Sequence, residues 1–279
     1  MNTEFRLEVK FWGVRGSIPT PAPENLGCGG NTTCLEVCVS DGSGVVIDGG
    51  TGARQLGMDL MRRAAGGSIE LDILMTHFHW DHIQGIPFFA PLYNPKNRIT
   101  FHTSRSPEEV RNILEGQMTH PYFPVAFELL GAKREFAGFD TGVKKLLDGR
   151  MSVKPFGLNH PQGATGFRIE ANGAVIVHAC DHEHGDAEKD RSIREAAMEA
   201  DVLVYDAQFT PDEYGLKKGW GHSTWLEGVK VAQGSNVKHL VLSHHDPSHT
   251  DEFMEAVLLE ARKEFPNTSI AKEGTSIRV

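Results

Sequence analysis

The sequence has few cysteines and no pattern that would tie them together. Its 279 residues include four cysteines, Cys28, Cys34, Cys38 and Cys180, and no two form a C-x-x-C pair. Their spacing matches no zinc ribbon and suggests no disulfide framework. We therefore expect reduced thiols, with Cys34 and Cys38 as core residues of a strand rather than as metal ligands.

Long apolar runs and an excess of positive charge are also missing. No uninterrupted apolar run approaches the roughly 18 residues of a membrane span, and the N-terminal residues lack the basic and apolar segments of a secretory signal. We therefore expect a cytoplasmic protein with no membrane partner. Lys and Arg number 28 against 37 Asp and Glu, a formal net charge of −9, which disfavours long nucleic acid as a partner.

The most informative stretch is a short apolar run that ends in three histidines and an aspartate. The run over residues 73–75 predicts a buried strand, and His77, His79, Asp81 and His82 follow it at the spacing His-x-His-x-Asp-His. Imidazole and carboxylate donors suit zinc, manganese or iron. Because one metal needs only three or four donors, the surplus indicates two metals, with His77 and His79 on one and Asp81 and His82 on the other. A solvated histidine-rich loop is the alternative.

Three later strands are predicted to end in the same way. A donor follows each of them: His160 after residues 152–159, Asp181 after 174–180 and His244 after 238–243. With the strand before His77, four strand ends each carry a donor, as expected if an open α/β sheet binds its ligand beyond the carboxyl ends of its strands. The recurrence of the position supports a shared site more than any single histidine does.

A carboxylate–histidine pair is predicted between Asp206 and His222. Asp206 ends another apolar run, and His222 opens an amphipathic helix, where the positive helix end disfavours the charged imidazole. A carboxylate partner would fix the tautomer and hold the imidazolium charged near neutral pH, as a general acid requires. The alternative is a helix-capping turn with no role in proton transfer.

The remaining pattern predicts the surroundings of this site. An antiparallel meander is expected over residues 5–11, 34–39 and 44–48, and a helix with Leu56, Leu60, Met61 and Ala64 on one face should end at Gly66. A glycine-rich segment follows Asp48, between the third strand and this helix. It has neither the Walker lysine nor the G-x-G-x-x-G spacing. We interpret it as a tight turn beneath the metal site, with a phosphate loop as the alternative.

Two further helices and an aromatic segment are predicted in the middle of the chain. One helix begins at Ile83 and is stopped by Pro87; the other has Ser106 as N-cap, Glu109 placed for a capping box and its end near Met118. Residues 119–127 are too broken for a helix. Their aromatics, Tyr122, Phe123 and Phe127, either fill the core or form a lid that stacks on a planar substrate group.

The donors, in their order along the chain, resemble the signature of the metallo-β-lactamase superfamily. This resemblance implies an α/β protein, a four-layer αβ/βα sandwich formed by residues 1–279 as one domain, with a dinuclear site at its edge. It also implies that His77, His79 and His160 hold the first metal, that Asp81, His82 and His244 hold the second, and that Asp181 bridges them. Zinc is the expected ion, with manganese or iron as alternatives, and His245 could compete with His244.

Three segments resemble the ribonuclease Z-like phosphodiesterase branch of this superfamily. They are Asp-Ala-Gln-Phe at 206–209, Gly-His-Ser-Thr at 221–224 and Leu-Ser-His at 242–244. In that branch an acidic residue and the histidine form the catalytic dyad. The resemblance implies a metal-bridging hydroxide as nucleophile and His222 as the acid that protonates the leaving group. The predicted catalytic residues are His222, Asp206 and the metal-ligating Asp81.

The substrate prediction rests on two departures from ribonuclease Z. Asp206 stands where that enzyme usually has glutamate, and no long basic arm for gripping tRNA is found. Residues 11–19, 29–32 and 244–247 are more similar to small bacterial and phage members that include cyclic-nucleotide phosphodiesterases. We therefore predict a small phosphodiester substrate, foremost a 3′,5′-cyclic nucleotide.

Other functions remain as alternatives to this prediction. A ribonuclease Z-like tRNA 3′ endonuclease and a glyoxalase II-like thioester hydrolase share the metal ligands. A non-catalytic metal-binding module is the least favoured, because all seven donors are present. The oligomeric state is left open, with a homodimer as one option.

Overall fold

The computed structural model of the protein describes residues 5–139 and 142–279. Within these ranges the strands are β1 (Glu8–Gly13), β2 (Cys34–Cys38), β3 (Gly44–Ile47), β4 (Glu70–Leu74), β5 (Arg98–Thr103), β6 (Lys133–Gly138), β7 (Lys144–Leu146), β8 (Met151–Leu158), β9 (Ala164–Ala171), β10 (Ala174–Ala179), β11 (Val202–Asp206), β12 (Leu240–Ser243), β13 (Thr268–Ile270) and β14 (Ser276–Arg278). The helices are α1 (Ala53–Ala64), α2 (Trp80–Ile83), α3 (Pro107–Gln117), α4 (Ala187–Ala197), α5 (Pro211–Lys217), α6 (Trp225–Gly234) and α7 (Asp251–Glu264).

Across the described residues, the strands form two mixed sheets of seven strands each. Their orders are β14-β1-β2-β3-β4-β5-β6 and β13-β12-β11-β10-β9-β8-β7. In the first sheet the strands from β3 to β6 pair in parallel, and in the second those from β10 to β13 do. Because β8 and β10 are both antiparallel to β9, β8 runs in the same direction as β10, β11 and β12. The carboxyl ends of these four strands therefore lie at one edge of the second sheet.

In the part of the chain that the structure describes, three apolar clusters hold the layers together. The central cluster lies between the two sheets and includes Val9 and Phe11 from the first and Phe167 from the second. The two outer clusters lie under the helices, with Leu56 of α1 against the first sheet and Met254 of α7 against the second. Burying each such side chain contributes roughly 1.5–3 kcal/mol. The layers follow the order helix, sheet, sheet, helix, so the predicted αβ/βα sandwich is confirmed.

The N-terminal meander is present as predicted, although its first strand begins later. β1, β2 and β3 pair antiparallel in sequence order, and β1 begins at Glu8 rather than Phe5. Cys34 and Cys38 are buried within β2, and all four cysteines are free thiols. Burial raises the pKa of the Cys34 thiol well above its usual value. The prediction of core thiols is confirmed.

The helix predicted from Ile83 to Pro87 is wrong. The helical turn α2 begins earlier, at Trp80, and Pro87 lies inside a separate 3₁₀ turn over Ile86–Phe88. Proline is tolerated there because the first residues of a helical turn need no backbone N–H donor and its fixed φ suits them.

α3 begins as predicted, but its capping is only partly as expected. The Ser106 hydroxyl accepts the backbone N–H of Glu109. The Glu109 carboxylate, however, pairs with Arg105 in the preceding turn. An opposite charge four residues away is a stronger partner for a carboxylate than an exposed backbone N–H.

The aromatic residues of the segment 119–127 have different environments. Phe127 is 2% exposed and packs in the cluster under α3, so it belongs to the core. Phe123 is half-buried and meets Phe88 edge to face, with ring centroids 5.6 Å apart. Tyr122 is 78% exposed. A lid could thus involve Tyr122 and Phe123 but not Phe127, and it stays a prediction.

Across residues 5–139 and 142–279, no helix combines the length and the apolar character that a membrane crossing would need.

Candidate metal centre

The seven predicted ligands lie together where strands of both sheets end. The groups of three that offer donor atoms within 4.8 Å of one another include His77, His79 and His160, here called the first triad, and Asp81, His82 and His244, the second triad. Asp181 lies between them, with Oδ2 3.2 Å from His82 Nε2 and Oδ1 3.7 Å from His160 Nε2. The geometry matches the two ligand sets and the central carboxylate that the family resemblance implies. Their role as ligands stays a prediction.

Several inward-facing atoms of this cluster lack hydrogen bonds. Among the described residues, the buried atoms His77 Nε2, His82 Nε2, His244 Nε2 and Asp181 Oδ2 have no partner of hydrogen-bond geometry. Leaving one such atom unsatisfied costs about 1–3 kcal/mol, and buried polar atoms are rarely left so. Bound cations would satisfy all four, so these residues fit a centre for divalent metals.

The outward nitrogen of each histidine is held by an acceptor. The pairs are His77 Nδ1 with Thr76 Oγ1 at 3.0 Å, His79 Nε2 with Gln162 Oε1 at 3.3 Å, His82 Nδ1 with Asp48 Oδ2 at 2.7 Å, His160 Nδ1 with the Gly221 carbonyl at 2.7 Å, and His244 Nδ1 with Gln208 Oε1 at 2.9 Å. Such partners fix the tautomer and the ring orientation of a metal-binding histidine. Four of the rings therefore present Nε2 to the centre, and His79 presents Nδ1.

Three residues at the site leave their strands in a left-handed backbone conformation. The φ angle is 60° at Asp48 after β3, 65° at Asp181 after β10 and 62° at His244 after β12. This region is uncommon for residues other than glycine, although Asp and His adopt it more readily than most. It costs of order 1–3 kcal/mol and tends to occur at functional sites. The sharp change of direction turns each side chain into the site.

Neighbouring charges control the pKa values of the metal-free centre. Burial lowers the pKa of His244, but Asp181 and Asp81 outweigh it and raise the pKa to about 9. Burial also lowers the pKa of His82, and the carboxylates of Asp181, Asp81 and Asp48 raise it well above its usual value. Conversely, burial raises the pKa of Asp181, but His244 and His82 bring it well below the usual value. Without metal, the centre therefore binds protons at neutral pH.

Asp206 and His222 form the pair predicted from the sequence. Asp206 ends β11, and its Oδ2 lies 2.9 Å from His222 Nδ1. The same carboxylate accepts the backbone N–H groups of Asp181, Gln208 and Ser223. His222 Nδ1 is also 3.9 Å from Asp181 Oδ1, so the pair adjoins the two triads. Because Nδ1 is engaged with Asp206, Nε2 is the nitrogen left to exchange a proton with a substrate.

A different grouping of donors exists in the same region. Asp181, Asp206, His222 and His244 also offer donor atoms within 4.8 Å of one another. Both oxygens of Asp206 already accept hydrogen bonds from the protein, however, so this carboxylate is a poorer candidate for metal binding than the unsatisfied atoms of the triads. We therefore interpret Asp206 and His222 as the pair that handles a proton.

His245 does not take part in the centre. Its Nε2 lies 2.9 Å from the Ala271 carbonyl, and it belongs to none of the donor groups found among the described residues.

His222 lies slightly outside the helix it was expected to open, because Thr224 is the N-cap of α6.

Several residues that support the site were not predicted from the sequence. Gln162, Gln208 and the Gly221 carbonyl hold histidines, as described above, and the backbone N–H of Ser17 donates to Asp81 Oδ2 at 2.8 Å. Ser17, Gln208 and Gly221 lie in segments noted for their family resemblance, but neither a glutamine nor a backbone group carries a recognisable ligand signal. The turn after Asp48 does lie beneath the site, as predicted, since the Gly49 N–H donates to the His82 carbonyl at 2.8 Å.

The sequence matches a known protein family. The model of the β-lactamase superfamily domain matches residues 44–245. The chain belongs to the metallo-β-lactamase superfamily. The matched range contains all seven predicted ligands and both members of the Asp206–His222 pair. The protein is thus a metal-dependent hydrolase of the lactamase fold.

Several proteins are similar to this chain over almost its whole length. A ribonuclease Z of Haloarcula marismortui is 27% identical over 98% of this chain and 97% of its own length. Among solved structures, the metallo-β-lactamase fold protein YhfI from Bacillus subtilis has a TM-score of 0.75 at 18% identity, covering 99% of this chain and 100% of its own. The short form of human tRNase Z has a TM-score of 0.67 at 20% identity, covering 97% and 98%.

These findings favour the ribonuclease Z alternative over a cyclic-nucleotide substrate. Relatives from Methanosarcina acetivorans and Methanosarcina mazei that cover 96% and 98% of the chain also carry the name ribonuclease Z. None of these comparisons points to cyclic nucleotides. Our preference for that substrate rested on the aspartate at position 206, the acidic charge, the missing basic arm and the similarity of residues 11–19, 29–32 and 244–247 to small members of the branch, whereas the relatives that cover nearly the whole chain carry the name ribonuclease Z.

We expect two divalent ions per chain when the protein is fully loaded, because the two triads offer six donors and Asp181 can be shared. His244→Asn should lower the content to about one ion, whereas His245→Asn, its matched neighbour, should leave it at two. Elemental analysis by mass spectrometry measures both. A loaded wild-type protein with one ion or none would contradict the dinuclear arrangement.

Zinc binding at pH 7 should release protons from the metal-free protein. His244, with a pKa raised to about 9, and His82 are protonated at that pH and must lose a proton before they bind metal. Release should therefore decline as the pH rises through 9. Calorimetric titration in buffers of different protonation enthalpy counts these protons. A release near zero at pH 7 would refute the charge state assigned to the centre.

Proposed function

We propose that the protein is a phosphodiesterase that uses two divalent ions, foremost zinc. Each triad would hold one ion, and Asp181 would be a ligand of both. The observation that carries this proposal is the Asp206–His222 pair beside the donor cluster, with 2.9 Å between the carboxylate and Nδ1. Expulsion of an alkoxide from phosphorus benefits from a positioned acid. Hydrolysis of a thioester, which releases a thiolate, has no such need.

The residues divide the chemistry between them. The ions, when bound, would supply an activated water and neutralise charge on the phosphoryl oxygens. Asp206 binds His222 Nδ1 and so fixes the tautomer and the orientation of the ring. Burial raises the pKa of Asp206, but His222 lowers it below the usual value, so the carboxylate is ionised at neutral pH. His222 then donates its Nε2 proton to the leaving oxygen.

An RNA phosphodiester, cleaved as by ribonuclease Z, is the substrate that the comparisons support best. Relatives of that name align along nearly the full chain, and the chain keeps the seven donors and the acid pair. The aspartate at position 206 in place of the usual glutamate is compatible with this role, since it reaches His222 at hydrogen-bond distance.

A small phosphodiester such as a 3′,5′-cyclic nucleotide is the second candidate, and two observations favour it. The net charge is −9, whereas RNA binding normally relies on several cationic contacts to the backbone. The alignment with the Haloarcula relative also spans 316 positions, more than the 279 residues of this chain. That relative therefore has insertions without counterparts here.

A substrate panel tests this proposal. Metal-loaded protein is assayed on bis-p-nitrophenyl phosphate, a pre-tRNA with a 3′ trailer, the four 3′,5′-cyclic nucleotides, a thioester and a β-lactam. We expect hydrolysis of the phosphodiesters. Trailer removal that weakens steeply with salt supports the RNA substrate, and turnover of cyclic nucleotides alone supports the second candidate. Activity confined to the thioester or the β-lactam would overturn the proposal.

His222→Asn should reduce turnover of an alkyl phosphodiester by about 10²–10⁴, the usual contribution of a positioned acid. Bis-p-nitrophenyl phosphate should lose less activity, because p-nitrophenolate leaves without protonation. Metal content, measured in parallel, should stay at the wild-type level. Equal losses on both substrates would mean that His222 does not donate a proton.

A further inference from the structure

We propose that Glu183 is a positioning residue that links His160 of the first triad to the proton donor His222 through the turn Gly219–Gly221. The part that concerns His222 rests on the proposed function. The part that concerns His160 depends only on the geometry of the donors.

The Glu183 side chain binds the segment that leads to His222. Its Oε1 accepts the Gly219 N–H at 2.7 Å and the Tyr214 hydroxyl at 2.9 Å, and its Oε2 accepts the Gly221 N–H at 2.9 Å. Glu183 is 8% exposed. This buried carboxylate thus fixes the turn directly before the acid.

The same turn is in direct contact with His160. The Gly221 carbonyl accepts His160 Nδ1–H at 2.7 Å, which directs Nε2 of this ring toward the first triad. Gly221 has φ of 89°, and a Cβ there would lie 2.4 Å from His160 Nδ1 and 2.3 Å from Pro161 Cδ. No side chain fits between the turn and the ring. A displacement of Gly221 would therefore move a metal ligand and the acid together.

The Glu183 backbone is bound to the other side of this arrangement. Its N–H donates to the Asn159 carbonyl at 2.7 Å, and Asn159 Nδ2 donates to the Glu183 carbonyl at 2.8 Å. Asn159 immediately precedes His160. The main chain of Glu183 is thus paired with the segment that carries the ligand, and its side chain with the segment that carries the acid. Glu183 itself is not among the seven predicted metal ligands.

The test variant is Glu183→Gln, which keeps the size but presents an amide N–H to donors that need an acceptor. Its zinc affinity, measured by competition with a chromophoric chelator, should fall about 10–100-fold at one of the two sites, because the variant displaces the Gly221 carbonyl that holds His160, and loss of such a partner has an effect of this size. Its kcat should fall further on an alkyl phosphodiester than on bis-p-nitrophenyl phosphate, with a smaller change in KM.

Two comparison variants separate this role from a general effect on folding. Tyr214→Phe removes one of the three bonds to the carboxylate and should weaken zinc binding in the same direction by about 2–10-fold. Glu264→Gln makes the same chemical change at an exposed site near the end of α7 and should match the wild type. Thermal unfolding of the metal-free proteins is recorded beside each affinity.

Wild-type zinc affinity and a wild-type ratio of activities on the two esters in Glu183→Gln would overturn the proposal, whatever its thermal stability. Where that variant does not fold, an unchanged zinc affinity in Tyr214→Phe overturns it. If the wild type cleaves no phosphodiester, the proposed function fails, and the zinc measurements still decide the link between Glu183 and His160.

Discussion

Four carboxylates are buried at one edge of the two sheets, and the surrounding structure serves to keep them there. Asp48, Asp81, Asp181 and Asp206 are each at most 6% exposed, and a buried carboxylate is stable only when its charge is matched and its oxygens are bonded. Asp48 and Asp206 obtain this from backbone N–H groups and from the outward nitrogens of His82 and His222. Asp81 and Asp181 instead face the inward nitrogens of the triads. Without metal, protonated histidines balance the charge of these two carboxylates. Bound metal ions would balance it better.

This distribution of charge explains why two of the carboxylates bind histidines and the other two can bind metal. The two that are saturated by the protein act on histidines: Asp48 orients a ligand, and Asp206 prepares an acid. The two that remain open have coordination capacity. Because each sits at the end of a strand or in the first turn of a short helix, the rigid sheets set the distances between them.

The sequence predicted the donors well because their signal is local. His-x-His-x-Asp-His occupies six residues, and the other donors each follow an apolar run that is identifiable as a strand. The layer order followed from the family resemblance. By contrast, the partners that orient the histidines are separated from them by 34 residues at Asp48, 36 at Gln208 and 61 at Gly221. Only the folded chain brings these together, and a glutamine or a carbonyl group gives no chemical signal beforehand. The separate fates of Tyr122 and Phe127 were equally unpredictable, since an aromatic run broken by prolines has no period that indicates a buried face.

Anomalous diffraction from zinc-loaded crystals, collected on both sides of the zinc absorption edge, would locate the ions among the two triads and Asp181. We expect two anomalous peaks per chain, one among His77, His79 and His160 and one among Asp81, His82 and His244, with Asp181 contacting both. A single peak at full loading, or a peak held by Asp206 and His222, would contradict this arrangement.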